Sequence, residues 1–244
     1  MKKLHRGGSS PDGEPLSAGR VEYLEAARQR VRRRRLRRTV IILAALILVT
    51  LFATGAVGAS IARVKDLVDT VHIALSPAVG WPQQTGLGDL TAVQPMSGSF
   101  AAMDEDACVV YSLGGTRLAG IQSGYARPAL AAGKTRFVLY NRSGNELRVE
   151  SRTQNLYSKT LENSIYLCAM SDTGTLAVAT DSADSTARLT VYTPTMSEQL
   201  HWDMTGTQGT PVRMAFAADS RRLAVAAVTS SAGQLQANLF VLSL

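Results

Sequence analysis

The longest apolar stretch of the chain is Thr39–Ala62, 24 positions without a charge between Arg38 and Arg63. A hydrocarbon core of ~30 Å takes ~20 helical residues, so residues 39–62 are predicted to form one transmembrane helix. The pattern then changes. In residues 63–76, Val64, Leu67, Val68, Val71 and Leu75 recur at helical spacing, predicting an amphipathic stalk helix that stops at Pro77. Its apolar stripe is expected to pack on the domain that follows, with pairing to another copy as the alternative. Residues 77–95, broken by Gly80, Pro82, Gly86 and Gly88, read as an extended entry segment.

From residue 96 to 244 the apolar positions fall in short runs, and the runs repeat. Residues 169–179 read AMSDTGTLAVA and residues 216–226 read FAADSRRLAVA, in register at an offset of 47. Leu130–Tyr140 fits the same strand–turn–strand template more loosely. Arg188–Tyr192 and Glu198–Asp203 supply a third and fourth strand to the unit that starts at Ile165. Glu146–Glu150 alternates as a half-exposed outer strand would, and Ala107–Tyr111 with Thr116–Gln122 gives a further hairpin. Periods of ~40–50 residues made of short strands mark propeller blades. The predicted fold is therefore all-β and propeller-like, with one partial and three fuller blades, after a single N-terminal membrane helix. The last run, Asn238–Leu244, is an apolar strand. It ends either a minimal ring of about four blades or an incomplete ring with an open edge.

Charge fixes the orientation. Twelve of the 26 Lys/Arg and four of the 19 Asp/Glu lie in the first 38 residues, a balance of +8, while the other 206 residues carry −1. Arg32, Arg33, Arg34, Arg35, Arg37 and Arg38 abut the span and place its N-terminus in the cytoplasm by the positive-inside rule. The apolar run exceeds the ~7–15 residues of a signal-peptide core, which favours an uncleaved signal anchor. Residues 1–20 are rich in Gly, Ser and Pro and are expected to be disordered. Residues 21–38 suit a basic juxtamembrane helix on anionic lipid, or a solvated tail. No aromatic interleaving accompanies the arginines, so nucleic acid is not an expected partner.

Candidate chemistry is sparse. His5, His72 and His201 are far apart in the sequence. His201-Trp202-Asp203 reads as an outer strand rather than a site. Asp104-Glu105-Asp106 lacks calcium-loop spacing and reads as a hairpin turn. Cys108 and Cys168 fall in apolar strands and read as free buried thiols, a bridge being the alternative. For a hydrolase, Asp172, Asp203 and Asp219 are the recruits, yet Asp172 and Asp219 hold equivalent turn positions. No catalytic residue, metal or cofactor is expected.

The turn Ala218-Asp-Ser-Arg-Arg-Leu-Ala-Val resembles the S-P-D-G-K-x-L-A signature of TolB- and WD40-type propellers. With the anchor and Gly80-Trp-Pro, residues 39–244 resemble an uncharacterised family of bacterial, membrane-anchored, propeller-like proteins. The resemblance implies longer chains and carries over no functional residues. The expected function is a non-catalytic, extracytoplasmic binding or scaffolding module, contacting an envelope protein or a cell-wall polymer. A single-pass sensor with the basic tail as output is the second reading, and an envelope hydrolase the third.

Overall fold

The computed structural model describes residues 56–244, with side chains from residue 64. Residues 1–20, 21–38 and most of 39–62, including the arginine cluster, lie outside the described residues. No helix of the described residues is long and apolar enough to cross a membrane. The described part begins with helix α1, Ala56–Leu75, which takes in the expected stalk as far as Leu75.

Everything after α1 is β-structure in four antiparallel sheets, each meandering in chain order. The first holds β1 (Ala92–Met96), β2 (Ser99–Met103), β3 (Ala107–Ser112) and β4 (Arg117–Gln122). The second holds β5 (Pro128–Ala132), β6 (Arg136–Asn141), β7 (Glu146–Ser151) and β8 (Asn155–Thr160). The third holds β9 (Ile165–Met170), β10 (Leu176–Thr180), β11 (Ala187–Tyr192) and β12 (Glu198–Met204). The fourth has three strands, β13 (Thr210–Phe216), β14 (Arg222–Ser231) and β15 (Gln234–Ser243). Strand β1 thus begins inside the expected entry segment. Consecutive sheets adjoin through their first strands: β1 with β5, β5 with β9, and β9 with β13. Four sheets stacked by their inner strands are propeller blades, as the repeats imply.

The apolar runs are continuous because each inner sheet is buried on both faces. Side chains alternate across a strand, so Phe137 and Leu139 face the first sheet while Val138 and Tyr140 face the third. Ala177, Ala179, Leu189 and Val191 then meet Met214, Leu223 and Val225 of the fourth. The third and fourth strands slip register at equivalent places, between Val110 and Tyr111, Val149 and Glu150, and Val191 and Tyr192. A bulge there adds twist and bends the outer strand, so the repeat extends to irregularities. Strand β7 is more buried than an outer strand should be; it is third in its sheet, and β8 takes the edge.

The two ends of the stack differ. The outer face of the first sheet is covered by the entry segment: Leu87 packs with Ala102, Val109 and Tyr111, and Trp81 stands 5.7 Å from Phe100 and 5.6 Å from Tyr111. Trp81 Nε1 donates to the Leu113 carbonyl at 2.9 Å, and Gly80 N to Gly114 O at 2.9 Å. Gly115 is required here. Its φ is +85°, and a Cβ would meet the Gly80 oxygen at 2.3 Å. The far face of the fourth sheet presents Ala215, Leu239 and Val241 to solvent, with Ala224 and Ala226 half-buried between them.

The acidic triplet is a turn, as expected. Asp104 closes the β2–β3 hairpin, its Oδ1 accepting the amides of Asp106 and Ala107 at 2.9 and 2.7 Å, and its Oδ2 the amide of Gly88 at 2.8 Å. These amides, Gly88 first, hold its pKa below the usual carboxylate value. A pKa depressed in the folded state stabilises the fold above the unfolded carboxyl pKa. That contribution disappears as pH falls through the lower, folded value. Asp104→Asn should therefore lower stability at pH 7. Its deficit against the parent, followed by urea unfolding from pH 7 down to about 3, should shrink below roughly pH 4.

Candidate binding surface

The turns after the first and third strands of each blade gather on one face of the domain, and α1 is fastened to that face. The fastening is polar. Asp66 pairs with Nε of Arg136 at 3.1 Å, and its other oxygen accepts from the Thr135 hydroxyl at 3.2 Å. Arg136 also donates to the Pro194 carbonyl at 2.8 Å, tying the second blade to the third. Arg152 reaches the Ser97 carbonyl at 2.8 Å and the Thr70 hydroxyl at 2.6 Å. Its Nε lies 3.4 Å from Asp69 Oδ2, close enough for an ion pair but not aligned as a hydrogen bond. Thr153 donates to the other oxygen of Asp69. Arg136 and Arg152 are 2% and 1% exposed.

This overturns the expected packing of the stalk. Val64, Leu67, Val68 and Leu75 are 59–79% exposed, and Val71 is 49% exposed. The side of α1 turned to the domain carries Asp66, Asp69, Thr70 and Ile73 instead. The physical reason lies in the domain, where two buried guanidinium groups call for carboxylates, and the polar side of the helix supplies Asp66 and Asp69. Nothing in the spacing of Arg136 or Arg152 announces burial. The available signal was the Asp66/Asp69 pair, three residues apart on one side of the helix.

On the inner strands an open cleft of about 330 Å³ lies at the C-terminal ends of β5, β9 and β13. Leu130, Ala132, Met170, Met214 and Phe216 give it an apolar floor, and Gln94 and Asp172 give it polar rims. Its lips are the turns that the repeats share. Lys134 and Asp172, from neighbouring turns, pair at 2.8 Å. Gly133 passes so close to the third blade that a Cβ would stand 2.0 Å from the Ser171 oxygen. A second cleft of about 400 Å³ separates the outer strands of the second and third blades. Four of its ionisable side chains are already engaged: Lys159 lies over the Tyr192 ring at 4.4 Å, Arg188 meets Asp203, and His201 meets Glu198.

The other singled-out residues are structural or apart. Trp202 packs edge-on against Phe240 at 5.1 Å, while His201 and Asp203 are exposed on β12. Asp172, Asp203 and Asp219 do not converge; each has its own cation, Lys134, Arg188 and Arg222. The Arg188 guanidinium holds Asp203 below the usual carboxylate range, and the Arg221 amide does the same first for Asp219. His72 sits in the last turn of α1. Cys108 and Cys168 are free and buried. Burial pushes the Cys108 thiol up to about 12 and Cys168 well above its ordinary value, which keeps both from forming thiolates. Among the described residues no group of three His, Cys, Asp or Glu could hold a metal ion.

Residues 79–243 match the Family of unknown function (DUF5711). The chain belongs to this family. The DUF5711 match runs from the entry segment to the end of β15, so it takes in all four blades and leaves out α1. No curated protein matches the chain. Among solved structures it is similar to Kluyveromyces lactis Hsv2p, at 15% identity and a TM-score of 0.46, covering 64% of this chain and 50% of that one. It is also similar to the Neurospora crassa Pan2 WD40 domain, at 9% identity and a TM-score of 0.44, covering 63% and 48%. The chain spans about half the length of these structures.

Proposed function

We propose that this DUF5711 chain is a membrane-tethered, extracytoplasmic binding module that offers the inner-strand cleft to an envelope protein or a cell-wall polymer, without catalysis. The observation that carries this reading is the fastening of α1. The helix that follows the arginine-flanked apolar run is held to the turn-bearing face by two buried arginines, so the domain is presented as a rigid head. The cleft supplies an apolar floor with few polar groups at its rim, the usual make-up of a recognition site. A charged ligand has less to gain in the outer cleft, where Lys159, Arg188, Glu198 and His201 already have partners within the fold.

The test is amine-reactive, membrane-impermeant cross-linking of the full chain in intact cells. Lys65, Lys134 and Lys159 should react, while Lys2 and Lys3 should not. A recurrent cross-linked partner should fall at least about tenfold in recovery when Asp172→Arg reverses the charge at the cleft rim. Reaction of Lys2 and Lys3 alone would reverse the orientation, and a partner indifferent to Asp172→Arg would move the site off the cleft. The fastening of α1 favours a second reading, a single-pass sensor with the basic tail as output, because a displacement of the domain is then also a displacement of the helix. Removing residues 1–31 would then abolish the output and leave partner capture intact.

A further inference from the structure

Among the described residues nothing covers the outward stripe of α1. Val64, Val68, Val71 and Leu75 follow one another at spacings of four, three and four, the pattern of a two-helix seam. The opposite side is fully engaged by Arg136, Thr135, Arg152 and Thr153, so the helix cannot turn its stripe inward without breaking two buried ion pairs. We infer that the stripe pairs with the same stripe of a second copy, in a parallel two-helix coiled coil.

The chain upstream favours a second copy over another partner. The stripe, from Val64 to Leu75, lies in the C-terminal part of helix α1. Before it stands the arginine-flanked apolar run. Two copies anchored by that run leave the membrane at the same level and in the same direction, so identical stripes meet in register. This part of the argument rests on the tethered reading. The flanks allow the approach: Leu67 and Ala74 border the seam on one side, and Lys65 and His72 on the other, so no like charges are brought face to face across it.

The experiment is oxidative cross-linking of the full chain in isolated membranes, with copper-phenanthroline and one added cysteine at a time. The native thiols are buried and serve as the blank. Val64→Cys, Val68→Cys, Val71→Cys and Leu75→Cys should give a dimer band roughly fivefold stronger than Lys65→Cys or His72→Cys, since a disulfide needs close Cβ atoms. Val68→Asp with Val71→Asp, both at exposed positions, should convert the detergent-solubilised dimer to monomer with the fold unchanged. Absence of a dimer at all four seam positions, a band without helical periodicity, or a cross-linked species of another mass would each overturn the pairing. A chain that stays in the supernatant fails the tethered reading instead, and its cross-linking pattern in solution still decides the seam.

Discussion

Arg152→Ala is expected to lower the unfolding free energy by about 3–5 kcal/mol, the range for removing one partner of a buried ion pair. Arg152 is 1% exposed and Asp69 8% exposed. Without the guanidinium, the Asp69 carboxylate stays in place with only the Thr153 hydroxyl on one oxygen, and the Ser97 carbonyl and Thr70 hydroxyl each lose the Arg152 donor. The uncompensated negative charge, more than the missing hydrogen bonds, makes the effect large. Urea unfolding followed by Trp81 and Trp202 fluorescence measures it. Replacing both partners, Arg152→Met with Asp69→Leu, should recover much of the stability, because the pair also carries a desolvation cost. If the double variant were as unstable as the single one, the hydrogen bonds of Arg152 rather than its charge would hold the helix. Limited proteolysis gives a second readout: cleavage within 63–76 should accelerate in Arg152→Ala before the blades unfold.

Phe137→Ala is the second large effect, again about 3–5 kcal/mol, from lost transfer energy and a residual cavity. Phe137 is fully buried and belongs to the layer where the second sheet meets Met96, Met103, Cys108 and Val110 of the first. Both walls of that layer are sheets whose opposite faces are also packed, so neither can move in to fill the space. The companion variant Phe240→Ala should cost clearly less, since Phe240 is only half-buried against Trp202 on the open-edged strand β15. Equal destabilisation would mean that the fourth sheet is braced as firmly as the second.

The blades were legible in the sequence because their signal is local and repeated. Leu-Ala-Val-Ala at 176–179 and at 223–226 falls at the start of β10 and in the first half of β14, and the strand–turn–strand reading of 130–140 became β5 and β6. Runs such as Arg136–Tyr140 read as strands because both faces of an inner blade are apolar. What could not be read was which side of α1 would be buried. An apolar stripe ordinarily seeks the core, and here that tendency yielded to two guanidinium groups brought by strands seventy or more residues away. Ion pairs of such sequence separation leave no periodic trace. The inner-strand cleft was equally hidden, since Leu130, Met170 and Met214 look like ordinary core positions until the sheets are stacked. The aspartates were interpretable for the opposite reason: Asp172 and Asp219 sit in equivalent turns, and each has its own cation.

The unlike ends of the blade stack give it a polarity. Trp81 and Leu87 close off the first sheet as a lid closes a tube, so another sheet laid against it would have to displace an aromatic trio and the Gly80–Gly115 approach. The far face of the fourth sheet, with small side chains at 215, 224 and 226 and Leu239 and Val241 beside them, asks for no such displacement. The two outer sheets of the stack therefore differ in what a neighbouring sheet would have to displace: a packed aromatic cover on one, exposed side chains on the other.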